Sequence, residues 1–163
     1  MTKTWAFLTW VWTVLLLTPF TVQAIEMTLH GTLIAPPQCT INDSGQVSVA
    51  FGDQIGINSV NGINHRKQVN YQITCDKGTD HYSLLTLTLS GNVAEFDGQV
   101  LKTNKDNLGV KIYLNDKLFA PDSPSLITLG TPPLLEAVLV KKSGSVLTGG
   151  QFEAWATLRA EYQ

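Results

Sequence analysis

Alternation of apolar and polar positions with a period of two runs through most of this chain, and it is clearest at the end. After Gly149-Gly150, the residues Phe152, Ala154, Ala156, Leu158, Ala160 and Tyr162 fall on one face, and Glu153, Trp155, Thr157, Arg159 and Glu161 on the other. Side chains on a strand point to opposite faces in turn, so the pattern predicts a half-buried β-strand. Its apolar face is unusual in carrying three alanines where a strand facing its own core usually carries larger branched side chains. Small residues between Phe152 and Tyr162 leave space above the strand. Nothing in the sequence follows Gln163 to fill it, so the filler is expected from elsewhere.

A second alternating stretch lies near the start. Ile25, Met27, Leu29, Gly31 and Leu33 share one face, with Glu26, Thr28, His30 and Thr32 between them. This predicts a strand with large apolar teeth and one gap, at Gly31. One end of the chain is thus groove-like and the other plug-like. Alternation alone is equally compatible with the plug filling the groove of its own chain or that of another.

The stretch between reads as short strands. Val47, Val49 and Phe51 alternate, ending at Gly52. Residues 53–66 are turn-rich, with Asn61-Gly62 as a tight turn. Val69, Tyr71, Ile73 and Cys75 form the next strand, and Leu85, Leu87 and Leu89 another. Asp97-Gly98 is a hairpin signal between Phe96 and Val100. Leu108 to Leu114 makes a strand that Asn115-Asp116 turns toward Leu118-Phe119. Leu126–Leu129 and Leu134–Val140 follow. No stretch has helical periodicity. Many short strands separated by turn signals predict an all-β sandwich.

Composition places the chain in a compartment. Lys3 precedes an apolar run from Trp5 to Phe20, and Val22-Gln23-Ala24 is a small-x-small cleavage site, so residues 1–24 read as a secretory signal peptide; the run is short for a membrane span. Its removal leaves 139 of 163 residues, one domain's worth. Only Lys3 of the 11 basic residues is lost, so 10 face 13 acidic residues and the mature net charge is −3. The cations are scattered, which argues against a nucleic-acid face or a polybasic membrane patch. Cys39 and Cys75 both survive cleavage. An even count in a secreted chain predicts one disulfide, stabilising by about 3–4 kcal/mol through restriction of the unfolded chain.

Candidate chemistry is sparse. No nucleophile elbow, zinc-helix motif or phosphate-binding glycine loop occurs. His30, His65 and His81 lack ligand-like spacing, and Asp76 and Asp80 share a probable turn. Neither an enzyme, a metal site nor a cofactor is indicated.

Taken together, the chain resembles the pilin subunits of the chaperone–usher fimbriae of Gram-negative bacteria. The resemblance rests on Gly150, fourteenth from the end, and the penultimate Tyr162; on the leader; on the alternating extension with its internal glycine; on the Pro-Pro-x-Cys-Thr-Ile-Asn opening from Pro36 to Asn42; and on Cys75. It implies an incomplete immunoglobulin-like sandwich lacking its last strand, with residues 25–37 as an N-terminal donor-strand extension and 38–163 as the pilin domain. It pairs Cys39 with Cys75 across the first two strands.

The same resemblance implies a route of assembly. A periplasmic fimbrial chaperone lends a strand to the groove lined by Gly150, Phe152, Ala154, Ala156, Leu158, Ala160 and Tyr162, with the carboxylate of Gln163 as an anchor. At the outer-membrane usher the extension of a neighbouring pilin subunit replaces it. Ile25, Met27, Leu29, Gly31 and Leu33 are then this subunit's own donor residues. The opening most resembles minor tip or adaptor subunits, with a major rod pilin as the alternative. From a different class, a secreted carbohydrate-binding β-sandwich would need an exposed aromatic platform, for which the mature chain offers Trp155 and scattered tyrosines.

Overall fold

The computed structural model of the protein describes residues 24–33, 35, 37–76 and 83–162. All of the expected signal peptide except Ala24 lies outside them, as does Gln163. The chain divides into a first unit, Met1–Ile34, and a second, Ala35–Gln163. In the first unit, residues 24–33 belong to no strand, and Ile25, Met27, Leu29 and Leu33 are exposed. The strand expected there does not form, because a strand exists only through the ladder it shares with another.

The second unit holds eleven strands among the described residues. They are β1 (Cys39–Ile41), β2 (Lys67–Gln68), β3 (Ile73–Cys75), β4 (Leu84–Gly91), β5 (Val93–Ala94), β6 (Asp97–Lys102), β7 (Leu108–Leu114), β8 (Lys117–Leu118), β9 (Ser125–Thr128), β10 (Leu135–Lys141) and β11 (Ala156–Tyr162). The larger sheet runs β2-β10-β7-β6-β5, with β8 paired to β7. A second runs β11-β4-β9, and β1 pairs with β3. Every pairing is antiparallel. The fold is all-β, an incomplete immunoglobulin-like sandwich.

Alternation explains the core. Leu85, Leu87 and Leu89 point inward from β4 and meet Val110, Ile112 and Leu114 of β7 and Leu135, Ala137 and Leu139 of β10. Central strand β10 is buried on both faces. Its Val138 and Val140 join Ala94 and Val100 in a small second cluster, packed by Phe96 and Tyr113. That accounts for the unbroken apolar run at this strand, since a strand covered on both sides need not alternate.

Four expectations are revised in this unit. The last strand begins at Ala156 rather than at Phe152. Val69–Cys75 is not one strand: only Ile73–Cys75 is, paired with β1, while Val69 donates its amide to the Leu135 carbonyl of β10 (2.8 Å). The hairpin turn falls at residues 95–96 rather than at Asp97-Gly98, because Ala94 pairs with Asp97 and the Asp97 carboxylate accepts a bond from the Gln99 amide (2.9 Å) inside β6. Residues 47–51 belong to no strand. Elsewhere the turn signals hold. The Asn61 carboxamide oxygen accepts from the amides of Ile63 and Asn64 (3.0 and 2.8 Å), and Asn115 and Asp116 both take positive φ between β7 and β8.

Cys39 and Cys75 are direct partners in the β1–β3 ladder and form the disulfide. Nearby, half-buried Tyr71 donates its hydroxyl to the Pro133 carbonyl (2.7 Å), and burial pushes its phenol from 10.0 up to about 12. The unfolded chain therefore ionises first. The stability this group confers is present below pH 10 and is lost as pH rises through about 12. Tyr71→Phe should cost about 1 kcal/mol near neutrality and make the alkaline fall in stability shallower. Denaturant titrations of both proteins at pH 8 and pH 11 check this. Parallel curves would contradict it.

Candidate functional site

One face of the second unit carries an elongated groove of about 720 Å³. Its floor is the sandwich core itself, with Leu89, Leu101, Val110, Ile112, Leu135 and Ala137 reaching it from four strands. One lip is β11 with the residues just before it. The other is the extended segment 45–51 that follows β1.

Neither lip is hydrogen-bonded to a strand across the groove, although β1 lines the groove and comes near β11. β11 pairs with β4 along one edge, and segment 45–51 pairs with no strand. The approach to β11 is fastened from the far side. Glu153 donates its amide to the Asn104 side-chain oxygen (2.9 Å) and accepts from the Asn104 amide (3.0 Å), and Thr103 bridges Ala154. Backbone groups of successive residues in an extended chain point to alternate edges. With Glu153 turned toward Asn104, Phe152 and Ala154 turn their amides and carbonyls toward the groove.

The alternation of the last stretch survives in space. Ala160 is buried, Phe152, Ala154 and Leu158 pack partly buried against the core, and Ala156 lines the groove while remaining exposed. Glu153, Trp155, Thr157, Arg159 and Glu161 are exposed. The small side chains leave the space that their sequence suggests. Tyr162 differs: it is 40% exposed, pairs with Leu85 at the end of the ladder and does not line the groove.

Beyond Phe152 the groove continues into a second cavity of about 830 Å³, lined among others by Ile55, Val60, Leu139, Leu147 and Gly150. Phe51 and Phe152 border both cavities, and their rings meet with centroids 5.8 Å apart and planes tilted by 50°. The aromatic pair spans from lip to lip and separates the two spaces. Phe152 was expected at the site. Phe51 was not, though its place in an alternating stretch that ends at Gly52 was the available signal.

Gly150 sits in the second cavity with φ +121°, a conformation that a side chain makes costly. A Cβ there would lie 2.8 Å from the Lys105 amine, which donates to the Gly149 carbonyl (2.7 Å). Neither Lys105 nor Asn104 was legible in the sequence, because each acts across more than forty intervening residues.

Apart from Tyr71, the titratable groups with displaced ionisation lie on the β5–β6 hairpin. A hydrogen bond from Lys102 (2.9 Å) holds the Glu95 carboxyl below its ordinary range and raises Lys102 in turn, and the Gln99 amide lowers Asp97. Among the described residues no group of three or more His, Cys, Asp or Glu could hold a metal, and Phe51–Phe152 is the one aromatic pair. Among the described residues no ring pairs with Trp155, which is 68% exposed. His65 bonds to the Ser59 hydroxyl (2.6 Å), and His81 lies outside the described residues.

Comparison with known proteins decides the family. The Fimbrial protein family model matches residues 27–163. The chain belongs to the fimbrial protein family. It is 37% identical over 142 residues to the fimbrial-like protein YfcQ of Escherichia coli (strain K12), covering 85% of this chain and 87% of that one. Among solved structures it is similar to the P pilus rod subunit PapA (TM-score 0.57, 21% identity, 85% of this chain and 100% of that one). It is also similar to the P pilus adaptor subunit PapF (TM-score 0.57, 25% identity, 79% and 98%). This pilin is a subunit of chaperone–usher fimbriae, exported to the bacterial cell surface.

The pilin's Gly150 supports a specific expectation. Gly150→Ala should destabilise the fold by about 2 kcal/mol, from strain at positive φ and displacement of Lys105. Lys105→Ala should cost about 1 kcal/mol, since it removes the bond without the strain. Thermal melts of the two variants should rank in that order, and a Gly150→Ala melt matching the wild type would overturn the role of this backbone.

Proposed function

We propose that this pilin joins its fibre by donor-strand exchange, receiving a strand in the groove between segment 45–51 and β11 and donating residues 25–33 to a neighbour. The observation that carries this reading is the open groove, floored by the core and bounded by two lips without a strand between them. An extended peptide there would add main-chain hydrogen bonds to both lips and place alternate side chains over the core, the two ingredients of strand addition. The floor would otherwise leave apolar surface and a strand edge open to unspecific association.

In this reading a periplasmic fimbrial chaperone fills the groove first, and the extension of a neighbouring pilin replaces it at the outer-membrane usher. Ile25, Met27, Leu29 and Leu33 are the donor side chains, and their exposure in the first unit suits a segment held ready for another subunit. Burying four such side chains contributes about 6–12 kcal/mol before ordering costs. The role is structural rather than catalytic. Possession of both a groove and a toothed extension suits a subunit within the fibre. A minor tip or adaptor position agrees with the Pro-Pro-x-Cys-Thr-Ile-Asn opening and the likeness to the adaptor PapF. A rod position is the alternative, in line with the likeness to PapA.

Leu29→Asp separates donor from acceptor. It should reduce insertion of this subunit's extension into the next by at least a hundredfold, since a carboxylate cannot be buried over an apolar floor unpaired, while leaving the chaperone complex at wild-type yield. Co-purification with the chaperone and native mass spectrometry of subunit–subunit complexes read the two effects. Insertion at the wild-type level would overturn the assignment of residues 25–33 as the donor.

A further inference from the structure

We infer that Asn104 is a positioning residue for strand acceptance: its side chain replaces a missing ladder partner along the far edge of residues 152–154, and so fixes which backbone groups of that stretch face the groove. The inference rests on the donor-strand reading above and adds a residue that lines neither cavity.

The chain beyond the end of β6 shows the need. Thr103 faces Ala154 in an antiparallel bridge, and the Asn104 amide donates to the Glu153 carbonyl (3.0 Å). Asn104 and Glu153 are therefore the next pair along, of the kind that exchanges both backbone bonds. In a regular ladder the Glu153 amide would donate to the Asn104 carbonyl. It donates to the Asn104 side-chain oxygen instead (2.9 Å). The turn that follows accounts for the substitution. The buried Thr103 hydroxyl accepts from the Lys105 amide (3.1 Å) and donates to the Leu108 carbonyl (2.8 Å), which draws the chain out of the ladder and toward β7. An asparagine side chain ends in an amide like that of the backbone, so it can stand in for the carbonyl that the ladder does not use.

Both polar backbone groups of Glu153 are thereby engaged away from the groove. Successive residues of an extended chain point to opposite edges, so Phe152 and Ala154 offer theirs to the groove. No regular strand pairing does this. β11 meets β4 only from Ala156 onward, and the Thr103–Ala154 pair, lying next to a bonded one, carries no bonds of its own. Lys105 fastens the chain at Gly149, four residues before Glu153, and leaves the orientation of 152–154 open. Little room exists for the stretch to settle otherwise: a Cβ on Gly91 would lie 3.0 Å from the Trp155 carbonyl oxygen. A strand entering the groove must find the amides and carbonyls of Phe152 and Ala154 already turned toward it. With Asn104 in place that edge is preorganised. Without it, the edge has to be ordered during entry.

The test uses the mature pilin in complex with a fimbrial chaperone, as wild type, Asn104→Leu, Asn104→Asp and Tyr71→Phe. Each is challenged with a synthetic peptide of residues 25–37, and entry is followed by native mass spectrometry. Asn104→Leu keeps the volume and loses the acceptor, and should slow entry about fivefold. Asn104→Asp keeps an acceptor oxygen and should return the rate to within about twofold of the wild type. Tyr71→Phe weakens the fold outside the lining of both cavities and should leave entry unchanged, which separates positioning from general loss of stability. Hydrogen exchange of the chaperone complex without peptide reads the clasp itself. The Glu153 amide should be protected in the wild type and in Asn104→Asp, and should exchange about tenfold faster in Asn104→Leu. Entry into Asn104→Leu at the wild-type rate would overturn the role, as would an equal slowing in all three variants. If Asn104→Leu yields no complex, rapid exchange at Glu153 in the wild type would still overturn the clasp. A wild-type peptide that never displaces the chaperone, with Glu153 protected as expected, would overturn the donor-strand reading and the role in acceptance with it.

Discussion

A β-strand in the interior of a sandwich needs a neighbour along each edge, and β11 has one. Along β4 its ladder is continuous from Ala156 to Tyr162. Along its other edge no strand is hydrogen-bonded to it; β1 comes near, and segment 45–51 lines the far lip of the groove. Much else in the fold is arranged around that gap. Asn104 and Lys105 hold the approach to β11 from behind, so the strand keeps its place although half of its backbone partners are missing. The Cys39–Cys75 bridge ties β1 to β3 at the root of the opposite lip. The lips are fixed from outside the groove, and the groove stays open between them.

The gap is also shaped. Alanines at 154, 156 and 160 lower one wall, while Phe51 and Phe152 close the space at a single point. A uniform apolar trough would accept many alternating strands in many registers, since a slip by two residues preserves the face. A trough interrupted once demands a strand interrupted once at the matching place. Under the donor-strand proposal, Gly31 is the interruption that the extension would offer to the aromatic pair.

What the sequence made legible was local. Period-two alternation in residues 152–162 and 85–89 needs no knowledge of the rest of the chain, and a strand lies in each, although the last one begins only at Ala156. The alanine face announced a space before its walls were known. What depended on distant partners was not legible. Residues 47–51 alternate like a strand yet form none, because the neighbour that would make them one is absent. The stretch 69–75 alternates like one strand, yet only Ile73–Cys75 forms one, because β1 claims its end while Val69 bonds to Leu135 of β10. The turn at 95–96 replaced the Asp97-Gly98 signal once Asp97 found a backbone partner in its own strand. Phe51 became part of the site only when the fold set it against Phe152.

The central claim is that an empty strand position lies between the two lips. Amide hydrogen exchange of the mature pilin, with and without a peptide of residues 25–37, measures that position directly. The account predicts rapid exchange at Phe152, Ala154 and residues 46–51 in the empty subunit, and strong protection of both lips at once when the peptide is present. Lips already protected without peptide, or unchanged by it, would contradict the claim.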